Sequence, residues 1–132
     1  VEIEGDVRSR NNEKLEAIRE EVVSTICNAV EKHGAKVTAE VEHKYSSFLI
    51  DTESTVVKLA KSACAMYGFT PDITQTGGGS DANFLNAYGV PCVILGTGMQ
   101  NVHTVEEFLN EEDLYNSVLM VYGILQAACE IA

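Results

Sequence analysis

Within the first 42 residues the spacing of the apolar side chains changes from two to about four and back to two. Apolar and polar residues alternate from Val1 to Arg8, which is typical of a strand with one buried face. A helical spacing follows and ends at Gly34, and a second alternation covers residues 37–42. This order of strand, helix and strand predicts an α/β fold, in which further strands are needed to bury the sheet face.

The rest of the chain continues with helices and strands in turn. Residues 90–95 are nearly all apolar, as in a strand covered on both faces, and a break near residues 46–53 indicates a subdomain boundary. The predicted strands cover 1–8, 37–42, a short stretch around Ile73, and 90–95; the predicted helices run from Asn11 or Asn12 to Gly34, from Thr52 or Ser54 to Gly68, over about 81–88, and through Leu114, Val118, Val121, Leu125 and Ala128.

Composition limits the classes of partner. The 132 residues include 20 acidic and 9 basic side chains, for a net charge of −11, so the chain repels nucleic acid and anionic membranes. No apolar run approaches the roughly 18 to 20 residues of a membrane span, and the acidic start is unlike a secretory signal. We therefore expect a cytoplasmic protein without a nucleic-acid or membrane partner.

The cysteines are widely spaced and lie in apolar surroundings. No Cys-x-x-Cys pair suggests a zinc knuckle or a redox centre. We expect reduced thiols in the core at all four positions, which are Cys27, Cys64, Cys92 and Cys129.

Three consecutive glycines, at 77–79, follow the predicted strand around Ile73 and precede a predicted helix. Glycines tolerate positive φ and close backbone approach, and their N–H groups can converge on an anion. Ser80 can cap the helix, whose positive end attracts a carboxylate or carbonyl oxygen. A tight turn without a ligand explains the same residues equally well. Nucleotide binding is disfavoured, because neither a P-loop nor a dinucleotide fingerprint is present.

Two polar residues at the start of this helix have two interpretations. Asp81 and Asn83 can simply favour the positive end of the helix dipole, and either can also orient a substrate. From the residues alone both interpretations stay open.

A histidine in a loop is the second candidate for chemistry. His103 follows the predicted strand over 90–95, where no periodicity gives it a packing role. A neutral imidazole can ligate a metal or transfer a proton, and Glu106 and Glu107 add negative potential nearby. A lone histidine is usually not a ligand, however, and the sequence holds no further cluster of His, Asp and Glu that completes a hydrolytic metal centre.

Four motifs together resemble a known family across essentially the whole chain. They are Gly77-Gly78-Gly79-Ser80-Asp81-Ala82-Asn83, Gly89-Val90-Pro91, Leu95-Gly96-Thr97-Gly98 and Asn101-Val102-His103-Thr104-Val105-Glu106-Glu107-Phe108. The pattern is similar to that of the co-catalytic zinc exopeptidases and deacylases, which include peptidase T, carboxypeptidase G, acetylornithine deacetylase and succinyl-diaminopimelate desuccinylase. The peptidase T-like branch is the most similar.

The resemblance implies a domain organisation. In that family a ferredoxin-like lid interrupts an α/β catalytic domain. Residues 1–50 would then be the second half of the lid or dimerisation domain, a partial strand-helix-strand lid. Residues 53–132 would be the C-terminal part of the α/β zinc-peptidase catalytic domain.

The resemblance also implies roles for individual residues. His103 matches a histidine that ligates one of two zinc ions, and the loop of Gly78, Gly79 and Ser80 matches one that contacts substrate. Asn83 belongs to the same motif and is a substrate-binding candidate with them. Some members carry a substrate-gripping arginine near the position of Tyr45, so Tyr45 is a further substrate-binding candidate, with Lys44 or Arg8 as alternative sources of the charge.

The function implied by the resemblance is that of a partial enzyme. The family's other zinc ligands and its general-base glutamate have no counterpart here, so no catalytic residue is assigned. The chain resembles the C-terminal portion of a zinc-dependent, tripeptidase-like aminopeptidase that hydrolyses small peptides or N-acyl amino acids with a metal-activated water. It is expected to be inactive alone and to form a homo-oligomer.

Two other classes of function remain open from the sequence. The chain could be a stand-alone, dimerising module that binds a small carboxylate at the glycine loop without metal. It could also be a purely structural assembly domain, which fits an incomplete sheet but gives no reason for the glycine loop.

Overall fold

Helices are the regular elements of the structure. The computed structural model describes residues 1–131, and these form α1 (Asn12–Lys32), α2 (Thr55–Met66), α3 (Asp81–Ala87) and α4 (Glu111–Ile131). All four predicted helices are confirmed. Each apolar spacing of about 3.6 residues in the sequence corresponds to one of them.

Local signals set the ends of the first two helices. The Oδ1 atom of Asn11 accepts a hydrogen bond from the Lys14 N–H at 2.8 Å and so caps α1. Ser54 is the N-cap residue of α2, without a side-chain cap bond. Gly34 and Gly68 follow the two C-termini with φ of 71° and 72°, a conformation that other residues adopt only with strain.

The predicted strands are not formed. Over residues 1–131 the structure has one isolated antiparallel bridge, between Gln100 and Phe108, and no ladder over 1–8, 37–42, around Ile73 or over 90–95. The prediction was wrong for these segments because an alternation of apolar and polar residues specifies only which face of an extended segment is apolar. A strand also needs a neighbour that pairs with its N–H and C=O groups, and the described segments supply none.

The chain divides into two compact units. Unit 1 combines residues 1–49 with 76–89 and therefore contains α1, α3 and the glycine loop. Unit 2 combines residues 50–75 with 90–132 and contains α2, α4 and the loop that carries His103.

In unit 2, α2 packs against α4 through small residues. Ala63 is fully buried on α2, and Ala127 is 5% exposed on α4. A Cβ atom added at Gly123 would lie 3.0 Å from the Cβ atom of Ala63 and 3.0 Å from Cε2 of Tyr67. The helices therefore approach so closely at this crossing that even the Cβ atom of an alanine would require its neighbours to move by a few tenths of an ångström.

Many large apolar side chains stay exposed. The outer face of α4 carries Leu114, Tyr115, Val118, Val121, Tyr122 and Leu125, each more than half exposed. Of the predicted core thiols, Cys64 is buried, but Cys129 is exposed, so the core prediction was wrong for Cys129. No helix of residues 1–131 is both long enough and apolar enough to cross a membrane.

Candidate functional site

The glycine loop of unit 1 uses part of its own hydrogen-bonding capacity internally. The N–H of Gly78 donates to Oγ1 of Thr76 at 3.2 Å, and the N–H of Ser80 donates to Oδ1 of Asn83 at 3.0 Å. None of the glycines at 77–79 has a positive φ; the glycines with positive φ are Gly34, Gly68, Gly89 and Gly98. An anion at this loop would therefore compete with two side chains of the protein for the N–H groups.

Tyr45 explains why the third glycine is required. A Cβ atom added at Gly79 would overlap the hydroxyl oxygen and ring of Tyr45, whereas one at Gly78 would meet only Oγ1 of Thr76, at 3.6 Å. The Tyr45 ring in turn contacts Phe84 of α3 edge to face, with centroids 6.2 Å apart. The structure therefore brings together two predicted substrate-binding residues, Tyr45 and Gly79.

Asn83 joins the glycine loop to the segment after Tyr45. The residue is 7% exposed, its Nδ2 donates to the carbonyl of Ser46 at 2.8 Å, and its Oδ1 accepts from Ser80 N–H. Both ends of the amide are thus satisfied inside the protein. The Oγ atom of Ser80 is buried without a hydrogen-bond partner in the described part of the chain.

The opposite side of this segment is held by α1. Oδ1 of Asn12 accepts hydrogen bonds from the N–H and the hydroxyl of Ser47, both at 3.0 Å. His43 contributes a further contact, between Nε2 and Oγ of Ser46 at 3.2 Å. Nothing in the sequence indicated that Asn12 and Ser46 belong to this site. Asn12 bonds to Ser47, 35 positions away, and Ser46 bonds to Asn83, 37 positions away.

Unit 1 also carries an exposed ion pair near the start of the chain. Nη2 of Arg8 lies 2.7 Å from Oδ2 of Asp6, and this hydrogen bond is the main reason that the pKa of the Asp6 carboxyl is lowered and that of Arg8 is raised. The charge of Lys44 lowers the Asp6 pKa further, and Tyr45 adds to the rise at Arg8. The charge of Arg8, one of the alternative sources of a charge for carboxylate binding, is therefore offset by Asp6.

The His103 loop of unit 2 is tied by its own backbone and side chains. Gln100 and Phe108 exchange two backbone hydrogen bonds, at 2.9 and 3.2 Å, which close the loop at its base. Within it Asn101 and His103 have φ of 50° and 66°, the left-handed region that both residue types tolerate better than most. Thr104 bonds the Asn101 carbonyl through both its N–H and its hydroxyl.

Glu107 fixes the position of His103. Its Oε2 atom accepts a hydrogen bond from the His103 N–H at 2.8 Å, while the His103 side chain remains exposed. The loop therefore holds the backbone of His103, while the residue stays exposed.

The described residues do not by themselves fit a zinc centre. Nowhere in 1–131 do three or more His, Cys, Asp or Glu side chains come together in a way that could hold a metal ion. A zinc ion held by protein takes three or four such ligands. His103 can supply one nitrogen ligand to such an ion.

Five of the six predicted site residues lie in unit 1, and His103 lies in unit 2. In unit 1 the structure joins Tyr45 to Gly79 and Ser80 to Asn83. Gly78 precedes Gly79 in the chain, and its N–H donates a hydrogen bond to Oγ1 of Thr76.

Comparison with known proteins assigns the family. Residues 4–127 match the family described as Peptidase family M20/M25/M40, and the chain belongs to that family. The resemblance seen in the sequence motifs is thereby confirmed.

Individual relatives carry related names. Uncharacterized protein YqjE of Bacillus subtilis (strain 168) is 32% identical over 130 residues, which cover 98% of this chain and 35% of the relative. A peptidase T of Vibrio parahaemolyticus is 29% identical over 116 residues, or 86% of this chain and 28% of the relative. The chain thus spans about a third of the length of these curated relatives.

Solved structures show the same relation. Aminopeptidase PepT from Bacillus cereus superposes with a TM-score of 0.75 at 32% identity, over 90% of this chain and 32% of that one. A tripeptidase from Staphylococcus aureus gives a TM-score of 0.80 at 28% identity, over 88% and 31%. The fold of this chain therefore matches a part of these two peptidase structures.

Proposed function

We propose that this chain is the C-terminal portion of a zinc-dependent exopeptidase that hydrolyses small peptides, tripeptides above all, or N-acyl amino acids. The observation that carries the proposal is the match of residues 4–127 to a peptidase family whose similar members include proteins named peptidase T and tripeptidase. Residues 1–50 are proposed to belong to a lid of ferredoxin-like form, and residues 53–132 to an α/β catalytic domain.

The glycine loop is the proposed substrate contact of this chain. Two features support this role: Tyr45 lies against Gly79 at the loop, and Asn83 ties Ser80 to Ser46. A loop that is fixed in this way can position a substrate without losing much conformational entropy on binding. Gly78 and Gly79 are exposed, which leaves one side of the loop accessible to a ligand.

Zinc is the proposed cofactor of the complete protein, with His103 as the single ligand from this chain. Such a metal polarises a carbonyl and lowers the pKa of water. Because His103 is the single zinc ligand proposed from this chain, the isolated chain is proposed to be inactive. The exposed position of His103 on a loop closed by Gln100 and Phe108 supports its role as a ligand.

The test is a hydrolysis assay on the complete protein with His103→Ala. Activity on a tripeptide is expected to fall by at least about 100-fold, because loss of groups that merely support a metal ligand already costs about 10- to 100-fold. Bound zinc, measured by elemental analysis, is expected to fall with it. His33→Ala is the matched control, since His33 lies at the C-terminal end of α1 in unit 1.

Two results would contradict the proposal. Near-wild-type activity and zinc content in His103→Ala would remove the ligand role. A complete wild-type protein that hydrolyses neither tripeptides, dipeptides nor N-acetyl amino acids would reject the peptidase assignment.

The cytoplasmic location and the homo-oligomer are further parts of the proposal. The exposed apolar face of α4 and the acidic net charge support association with protein surfaces over membranes. Light scattering of the complete protein measures the oligomer directly, and a monomer over the micromolar range would contradict it.

A further inference from the structure

We infer that Asn83 is a positioning residue, which holds Tyr45 over Gly79 through the Ser46 carbonyl, and that it does not contact substrate itself. The inference rests on the proposed function only in assigning the glycine loop to the substrate. It differs from the sequence-based prediction, which placed Asn83 among the residues that bind substrate.

Burial and hydrogen bonding of the amide support this assignment. Asn83 is 7% exposed, its oxygen accepts from Ser80 N–H at 3.0 Å, and its nitrogen donates to the Ser46 carbonyl at 2.8 Å. An asparagine can accept and donate at the same time, whereas a carboxylate only accepts. The side chain therefore connects two backbone segments and has little surface left for a ligand.

The contact with Ser46 fixes Tyr45 because the two residues are adjacent. Ser47, the next residue, is held from the other side by the two hydrogen bonds to Oδ1 of Asn12. Phe84, the neighbour of Asn83 on α3, contacts the Tyr45 ring edge to face. The segment 45–47 is thus held between α1 and α3, with the Tyr45 ring against Gly79.

A purely local role for Asn83 makes a different prediction. If the side chain only completed the N-terminus of α3, then losing its donor to Ser46 would leave residues 43–49 unchanged. If it positions Tyr45, the same loss must loosen residues 43–49 as well. The two roles are therefore distinguished by a measurement on a segment that lies 34 or more positions away in the sequence.

Asn83→Asp removes only the hydrogen-bond donor of the side chain, which is the Nδ2 group that bonds to the Ser46 carbonyl. The substitution keeps the shape of the side chain and the acceptor for Ser80 N–H, but places an acceptor opposite the Ser46 carbonyl. Asn86→Asp is the matched control on the same helix, since Nδ2 of Asn86 donates to the Ala82 carbonyl at 2.8 Å. Asn83→Ala is a second variant, which removes both hydrogen bonds and introduces no buried charge.

The experiment is hydrogen exchange followed by mass spectrometry on the complete protein. Asn83→Asp and Asn83→Ala are expected to speed exchange in the peptide over 43–49 by about fivefold or more, the factor for one lost hydrogen bond. Asn86→Asp is expected to leave that peptide within about twofold. Unchanged exchange over 43–49 in both Asn83 variants, with faster exchange confined to 80–84, would overturn the inference.

Kinetics separate positioning from general loss of structure. With a tripeptide, Asn83→Asp is expected to raise KM about fivefold while kcat stays within about twofold, because substrate binding is weakened and the reacting groups are untouched. An equal fall of kcat in Asn83→Asp and Asn86→Asp would count against it. If the wild-type protein hydrolyses no peptide, the proposed function fails, and the exchange measurement still decides the role of Asn83.

Discussion

The ring of Tyr45 occupies the space in which a side chain at Gly79 would begin. The two residues are 34 positions apart in the sequence, and both belong to unit 1. Gly79 has no positive φ, so glycine is required there by its neighbour and not by its backbone conformation.

Gly79→Ala is therefore expected to displace the Tyr45 ring. The free energy of unfolding should fall by about 1 kcal/mol, the lower end of the cost of overpacking, because Tyr45 is only partly buried and can rotate away. Urea denaturation of the complete protein measures the change. Gly78→Ala is the control, since its Cβ atom would meet Thr76 at an ordinary contact distance.

A double-mutant cycle tests the cause of this effect. In a Tyr45→Ala background the ring is absent, so adding Gly79→Ala should cost less than about 0.3 kcal/mol. A cost that stays the same in both backgrounds would show that the ring is not the obstacle.

The helices could be predicted from the sequence because their ends are local. Asn11 caps a helix that begins at the next residue, and Gly34 and Gly68 follow the C-termini they help to close. The strands could not, because a strand also needs a paired neighbour, and alternation within one segment carries no information about that neighbour. The alternation in 1–8 predicts only which face of the segment is apolar, and within residues 1–131 this segment pairs with no other strand.

The candidate site also has parts that could be predicted from the sequence and parts that could not. The glycine run and His103 are visible as motifs, because each is a short stretch of sequence. The hydrogen bond from Asn83 to Ser46 joins residues 37 positions apart and leaves no periodic or compositional signal. The sequence therefore left Asn83 open between a substrate contact and a residue that favours the helix N-terminus, and it gave no sign of the two hydrogen bonds that the structure shows at its amide.

Glu107→Ala is expected to release the backbone of His103. The lost acceptor for the His103 N–H frees an exposed loop, so the stability of the whole protein should change by less than about 0.5 kcal/mol. Under the proposed function, kcat/KM should nevertheless fall about 10- to 100-fold, as for other groups that hold a metal ligand in place.

The matched variant is Glu107→Gln, which retains an oxygen acceptor and should keep most of the activity. Steady-state assays with a tripeptide compare the two. If alanine and glutamine at this position behave alike, the hydrogen bond to His103 has no part in the function.

Gly123→Leu is expected to separate α2 from α4. A side chain at this position has 3.0 Å to Ala63 and Tyr67, so leucine cannot fit without moving a helix. The free energy of unfolding should fall by about 2–3 kcal/mol, read from thermal or urea denaturation. Tyr122→Leu places the same residue one position earlier on the exposed face and should stay within about 0.5 kcal/mol.

The ion pair of Asp6 and Arg8 predicts a small acid-side dependence of stability. The hydrogen bond from Arg8 holds the pKa of the Asp6 carboxyl below its ordinary value, with Arg8 and Lys44 adding smaller coulombic effects. A carboxyl whose folded pKa is depressed stabilises the fold above its unfolded pKa of about 3.9, and this contribution is lost as pH falls through the folded pKa.

NMR titration of the Asp6 carboxyl carbon measures the effect directly. Arg8→Met should raise the pKa of Asp6 toward its ordinary value, while Lys44→Met should raise it less, since the charge of Lys44 is the smallest of the contributions. Both charged groups are exposed, so added salt should reduce the Lys44 effect first, because the hydrogen bond of Arg8 at 2.7 Å is less screened than a longer-range charge. An Asp6 pKa that is the same in the wild type and in Arg8→Met would show that the pair does not form in solution.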